Sequence, residues 1–435
     1  MQRPSRPGAP WRSRLLDVAA RVAPHERRAV ALAFMCNFVL LGSYYILRPV
    51  RDTVATVIGV GQLQNLFTAT FLGTLLASPI YAALAARFRL TRLLPGVFGF
   101  WLLNVLLFEL MFRLAPQNLW VAAAYYVWFS VANLFMISVF WSLMVDMFTA
   151  AQATRLFALI AAGGSIGAIA GPLLTQLLVS RLRLSGLLLV AAGGFLIVIV
   201  LVLRLMREKQ RLRDSREEVQ QTTLDHGLPG NPFEGFSQLF QSRYMISQAG
   251  FVLLMTWANT VAYFLQTDVI AHAFAAVEGR AQAIAQIDLL VNIATAVILT
   301  FGLGRLVQRF GVTAGLVLNP IIMLIAFLVV LLSPSLIAIQ GMQVVRRVAQ
   351  YAIARPSREI CFTVVDQSRR YKAKNVIDTV IYRFGDVSSA WMQAGLRAAG
   401  FGLGGAVAVG IGACIAWGGV ARYAGRRYEA IRREK

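Results

Sequence analysis

The residues best able to do chemistry are charged and tyrosine side chains set inside long apolar stretches. The first stretch ends in Tyr44-Tyr45-Ile46-Leu47-Arg48-Pro49-Val50-Arg51-Asp52. Arg48 and Asp52 are four apart and can pair on one helix face, which leaves Arg51 free. A second reading lets these cations snorkel to a headgroup boundary. Arg346 and Arg347 lie in a later stretch between Gln343 and Gln350, one turn from each, and so form one polar stripe. Lys374, Asp378 and Tyr382 recur every fourth residue, and Arg383 and Asp386 can pair beside them. Asp268 and Asp288 are carboxylates available to those arginines, and Glu109 is either a proton site or a group near an interface. An ionisable group in hydrocarbon costs at least about 2.5–3.5 kcal/mol, so each needs a partner, a polar cavity or a ligand. Guanidinium forks, lysine point charges and tyrosine hydroxyls lining one path suit a polyanion such as a phosphate.

Other chemistries find no support. There is no Walker loop, no H-E-x-x-H, no G-x-S-x-G and no metal-ligand cluster. The histidines are His25, His226 and His272, and the cysteines Cys36, Cys361 and Cys414 have no paired spacing. The expectation is neither an enzyme nor an ATP-driven pump, with no cofactor, metal or disulfide framework.

The elements that must hold these residues are membrane helices. Of 435 residues, 58% are hydrophobic and 14% charged, against about 25% charged in a soluble domain. A crossing takes roughly 20 apolar residues. Apolar runs fall at 29–47, 65–86, 93–112, 119–145, 156–179, 185–206, 245–271, 282–303, 312–332, 335–355, 375–397 and 402–423. The expected fold is all-α, a polytopic membrane protein of twelve transmembrane helices in two six-helix repeats. The runs at 335–355 and 375–397 are the least hydrophobic. The net charge of +22 is concentrated in alternate loops, including Arg87, Arg89 and Arg92, then Arg155, then Arg207 to Arg216, then Arg369 to Lys374. Ten spans would break that alternation. By the positive-inside rule both termini are expected to be cytoplasmic, and the expected location is a bacterial inner membrane. Charge at the ends of apolar runs argues against nucleic acid. The expected partners are the lipid bilayer and a small anionic solute, and the expected assembly is a monomer.

The division expected is a basic tail at 1–28, a six-helix bundle at 29–206, a polar linker at 207–243, a second bundle at 244–424 and a basic tail at 425–435. A short interfacial helix is one reading of Phe233–Phe240. The halves echo each other. Asp146 and Arg155 precede the fifth run and Gly163-Gly164 lie within it; Asp366, Lys372, Lys374 and Gly385 recur around the eleventh. The offsets are 366 − 146 = 220 and 385 − 164 = 221. Parallel six-helix repeats are the architecture of the major facilitator superfamily. Gly163, Gly167 and Gly171, followed by Pro172, cut a groove along one helix face. That groove serves either close static packing or helix movement, and it resembles the glycine-rich fifth helix of facilitator-type antiporters.

Three segments carry a more specific resemblance. Leu47-Arg48-Pro49-Val50-Arg51-Asp52-Thr53, the stretch from Asp146 to Pro172, and Tyr371-Lys372-Ala373-Lys374-Asn375-Val376-Ile377-Asp378-Thr379 resemble the ADP/ATP carrier family of intracellular bacteria and plastids. The resemblance implies a facilitator-like fold and nucleotide exchange. It places Arg51 where the carriers have a first-helix lysine, and matches Lys372, Lys374 and Asp378 directly. Gly385-Asp386-Val387-Ser388 departs from the carriers' Gly-Lys-Ser by putting an anion where they have a cation. The alternatives are a proton-coupled facilitator using Glu109, Asp268 or Asp288, and a non-transporting membrane scaffold.

Overall fold

The computed structural model describes residues 22–87, 90–214, 237, 239–301, 303–365 and 373–434. The described secondary structure is helical. Its main helices are α1 (Arg27–Ile58), α2 (Leu63–Arg87), α3 (Leu90–Leu114), α4 (Leu119–Met147), α5 (Ala150–Asp214), α6 (Arg243–Ala273), α7 (Val277–Phe301), α8 (Leu303–Leu332), α9 (Leu336–Ala349), α10 (Arg355–Cys361), α11 (Tyr382–Ala398) and α12 (Leu403–Glu434). Among the described residues, eight helical stretches are long and apolar enough to cross a bilayer by themselves. Their outer faces carry bare leucine and isoleucine, such as Leu103, Leu177, Leu196, Ile325 and Ile415. That exposure suits a lipid solvent and no other.

α5 holds the expected fifth and sixth spans in one helix. It breaks at Arg183, whose φ of 57° and ψ of −176° interrupt the helical path. The other breaks follow from residue type. Gly311 takes φ 76° within α8, a region open to glycine at little cost. Pro356 lacks an N–H and crowds the carbonyl of Ala352, and there the tenth span opens into a π-turn at Gln350–Ala354 before continuing as α10. A second π-turn at Ile377–Ile381 leads into α11. These two weakly hydrophobic spans are therefore the ones with non-α turns, a feature frequent at functional sites. Counting α5 as two passes, and α9 with α10 as one, the described helices cross twelve times. Arg27 and Glu434 then lie on one face, called the terminal face below.

Some boundaries differ from expectation. The helix of the sixth span runs on to Asp214, into the expected linker, and α12 runs to Glu434, through the expected tail. Most of Phe233–Phe240, with Asp366 and Lys372, lies outside the described residues.

Each half has its own apolar core. One is built on α1 and α3–α5, with Phe98, Phe129, Phe140 and Phe195 at its centre. The other is built on α6, α8 and α12, with Phe251, Phe327 and Trp417. In the first half, α1 and α5 meet backbone to backbone. A Cβ on Gly163 would lie 2.4 Å from the Phe34 carbonyl, one on Gly167 2.1 Å from that of Phe38, and one on Gly171 2.5 Å from that of Gly42. The groove is thus filled by a helix of its own half. In the second half, a Cβ on Gly385 would strike Thr256, as one on Gly164 would strike Asn37. The repeat therefore extends to contacts: 385 − 164 = 221 and 256 − 37 = 219.

The halves touch away from the terminal face. Ala55, Leu63, Leu66 and Tyr126 pack with Phe264 and Ala390, and Trp391 Nε1 donates to Thr68 Oγ1 at 2.9 Å. Arg280 Nη1 donates to the Thr56 carbonyl at 3.3 Å. Near mid-depth, Asn292 Nδ2 donates to the Ala168 carbonyl at 2.6 Å. On the terminal face the described ion pairs stay within one half: Lys209 with Asp146, Arg155 with Glu26, Arg28 with Glu208, and Lys374 with Glu359. The chain is sealed on the far face.

Candidate substrate-binding site

α1 carries Arg48, Arg51 and Asp52 to mid-depth on its inner side. Arg48 does not pair with Asp52 as its spacing suggests. Its Nη1 points across to the other half and lies 3.8 Å from Asp288 Oδ1 on α7. Asp288 is fully buried, and Arg347 Nη1, itself almost fully buried, sits 2.5 Å from the same oxygen. Arg51, expected to be free, pairs with Asp52 at 2.5 Å and lies over the Tyr126 ring. Helix spacing misjudged this pair because an arginine can fold back on its sequence neighbour when other helices close off its outward path. Tyr263 of α6 completes that group by donating its hydroxyl to Asp52 Oδ1 at 3.1 Å, another bond between halves.

The opposite wall is formed by the two spans with π-turns. Arg346 donates through Nε and Nη2 to Gln343 Oε1 at 3.0 and 2.7 Å. Gln343 in turn donates to the Ala262 carbonyl at 2.7 Å. Gln350 accepts from Asn259 at 3.3 Å. Tyr351 lies within electrostatic reach of Arg48, Arg346, Arg347 and Asp288, and Tyr382 within reach of Arg346, Arg383 and Asp386. Arg383 and Asp386 are 3.5 Å apart, and Thr260 donates to Asp386 at 3.3 Å.

The charges do not balance. Arg48, Arg51, Arg346, Arg347 and Arg383 face Asp52, Asp288 and Asp386, an excess of two cations. Among the described residues Arg346 has only an amide oxygen as its hydrogen-bond acceptor, and Arg48 shares its carboxylate at 3.8 Å. In a low-dielectric setting such an excess is costly unless an anion joins it.

Other residues singled out from the sequence lie elsewhere. Lys374 pairs with Glu359 at 2.5 Å and Asp378 with Arg358 at 2.6 Å. Both pairs tie the tenth span to the eleventh near the terminal face, so of the expected Lys374–Asp378–Tyr382 stripe only Tyr382 joins the cluster. Glu109 pairs with Arg113 and Asp268 lies 3.8 Å from His272, both near the far face, so Asp268 does not answer the arginine pair. Asp146 and Arg155 fasten the terminal face of the first half, and Gly163, Gly167, Gly171 and Pro172 belong to its interior helix packing.

Sequence reasoning passed over Tyr351, although it stands four residues after Arg347 on the same stripe. It also passed over Glu26, buried at the start of α1, which accepts from Gln152 Nε2 at 2.7 Å and Arg155 Nη2 at 2.8 Å. Burial pushes the Glu26 carboxyl up, but bonds from Gln152, the Ala23 amide and Arg155 outweigh it and hold the group below its ordinary value.

The profile of the Major Facilitator Superfamily matches residues 30–349. The chain belongs to the major facilitator superfamily. It is accordingly a secondary transporter working by alternating access, and not an enzyme. No curated protein sequence matches it. Solved facilitators share its fold at low identity. A bacterial homologue of the iron transporter ferroportin, in an inward-facing state, aligns with TM-score 0.66 and 14% identity over 92% of this chain and 98% of its own. The nucleoside transporter NupG aligns with TM-score 0.62 and 14% identity over 95% and 100%. A bacterial homologue of the lysosomal transporter Spinster, inward-facing and unoccupied, gives TM-score 0.57 and 15% identity over 94% and 97%.

Proposed function

We propose that this facilitator carries a small organic anion, a phosphorylated solute of the nucleotide class, and binds it at mid-depth between Arg48, Arg346 and Arg347. The excess of two cations in the inter-half cluster carries this reading. A phosphate group would take the fork geometry that Arg346 now spends on an amide. Tyr45, Tyr351 and Tyr382 offer rings and hydroxyls to the uncharged part of such a solute. The resemblance of the first, fifth and eleventh spans to the ADP/ATP carriers supports exchange as the mode of transport. The loop charges support cytoplasmic termini in a bacterial inner membrane, so that the sealed far face is extracytoplasmic.

The test is uptake of labelled nucleotides into proteoliposomes, with and without unlabelled nucleotide inside. Uptake that requires internal counter-substrate and is lost in Arg346→Gln is the expected result. Absence of uptake and of exchange for every phosphorylated compound tried refutes the anion reading. Uptake that follows an imposed pH gradient and vanishes in Asp288→Asn transfers the case to proton coupling.

A further inference from the structure

A pocket of about 170 Å³ opens in the second half, close to the far face and apart from the mid-depth cluster. Its floor is Phe264 and Gln393, and its rim is Arg397, Phe401 and Leu403 with Asp268 to one side. Three observations mark it as built for a ligand. Gln393 lines the pocket and is almost fully buried, yet its Nε2 has no hydrogen-bond partner, a costly omission that a polar ligand beside it would relieve. Arg397 stacks over the Phe264 ring at 5.3 Å and, among the described residues, has no carboxylate within ion-pair distance. Its electrostatic counterpart is Asp268, whose carboxylate is nearest His272 at 3.8 Å. The remaining lining is apolar.

We infer that this pocket binds a small amphipathic monoanion, with its anionic head on Arg397 and Gln393 and its apolar body against Phe264, Phe401 and Leu403. Arg397 supplies the charge for the head, with the buried Gln393 amide beside it, and an aromatic and aliphatic wall receives the tail. Asp268 limits the charge, because a second negative charge on the ligand would face it. The volume is below the about 300–1,000 Å³ of drug-sized sites, so a short carboxylate fits, or the head and first carbons of an anionic lipid. Phe264 also belongs to the far-side seal, next to Ala390 and Leu66. An occupant would therefore rest directly behind the contact that closes the chain. The inference does not depend on which solute is transported.

The probe is sodium hexanoate, titrated calorimetrically into protein held in nanodiscs of neutral phosphatidylcholine. Saturable binding is expected, with hexanol and dianionic hexyl phosphate binding far more weakly. Arg397→Gln removes one charge-assisted bond, which predicts an affinity lower by about tenfold or more. Leu403→Trp fills the pocket and abolishes binding while leaving Arg397 in place. Discs containing phosphatidylglycerol separate the sources. Loss of hexanoate binding there names a lipid as the occupant, and unchanged binding names a soluble anion. Absence of saturable binding in neutral discs, or equal affinity in wild type, Arg397→Gln and Leu403→Trp, overturns the proposal.

Discussion

Replacing Asp288 by asparagine tests whether the mid-depth cluster is one electrostatic unit. The carboxylate is fully buried, and Arg347 at 2.5 Å is 5% exposed. Removing one partner of such a pair leaves the other charge uncompensated, which costs about 3–5 kcal/mol. Arg48, at 3.8 Å from the same oxygen, loses its counter-charge too, so the upper part of that range is expected. Arg347→Gln should cost less, because Asp288 keeps Arg48. In the double variant neither Asp288 nor Arg347 remains as an unpaired charge, and Arg48 alone lacks its counter-charge. Its cost should therefore fall below the sum of the single costs by about 0.5–3 kcal/mol, the range for residues in direct contact. The assay is reversible unfolding in sodium dodecyl sulfate for wild type, both single variants and the double variant. Additivity within about 0.5 kcal/mol would mean the two side chains act independently, and the picture of a shared inter-half ion cluster would fail.

Arg346→Gln should leave folding intact or slightly improve it, since the guanidinium sits beside Arg347 and has only the Gln343 oxygen, while weakening an anionic substrate about tenfold or more; unchanged transport affinity sinks it. Gly167→Ala should sharply lower the yield of folded protein, because its Cβ would lie 2.1 Å from the Phe38 carbonyl, whereas Gly193→Ala, with nothing within 4 Å, should not; size-exclusion chromatography compares them. Arg183 at φ 57° holds strain of about 1–3 kcal/mol, so Arg183→Gly should be neutral or stabilising in the unfolding assay, and a loss above about 1 kcal/mol contradicts the strain. Glu26 is held below its ordinary value of 4.5, so the stability it confers is complete above that value and is lost as pH falls through its lower folded value. Glu26→Gln should flatten that acid limb of the thermal-stability profile, and an unchanged limb assigns it to other groups.

Much of the fold was legible because hydropathy and loop charge are additive properties of the chain. Twelve apolar runs and an offset of 220 residues between Asp146 and Asp366 were enough to expect two halves. A close helix contact along α5 was legible from Gly163, Gly167 and Gly171, since three missing side chains on one face admit a backbone, but that α1 fills it came from the structure. The site was legible only in part. Arg48 gave up its expected partner Asp52 to Arg51 and turned to Asp288, which lies 240 residues away in sequence, 288 − 48 = 240, and helical spacing reports only local partners. Lys374 and Asp378 found partners on α10, where a π-turn shifts register in a way no periodicity announces. Tyr263 gave no signal, being one hydroxyl among many in an apolar run.

The glycine seam between α1 and α5 bears on how this machine could wear. α1 holds three members of the charge cluster, and α5 reaches the other half through the bond from Asn292 to Ala168. Because the two helices meet with no compliant side chains between them, they form a lever without backlash. A push on Arg48 arrives at Ala168 undiminished by rotamer play. The same stiffness leaves no room for repair, since one methyl group in the seam displaces the arginines and the Asn292 contact together. Diversity among such chains should therefore collect on the lipid-facing surface and in the pockets, while the seam tolerates almost none.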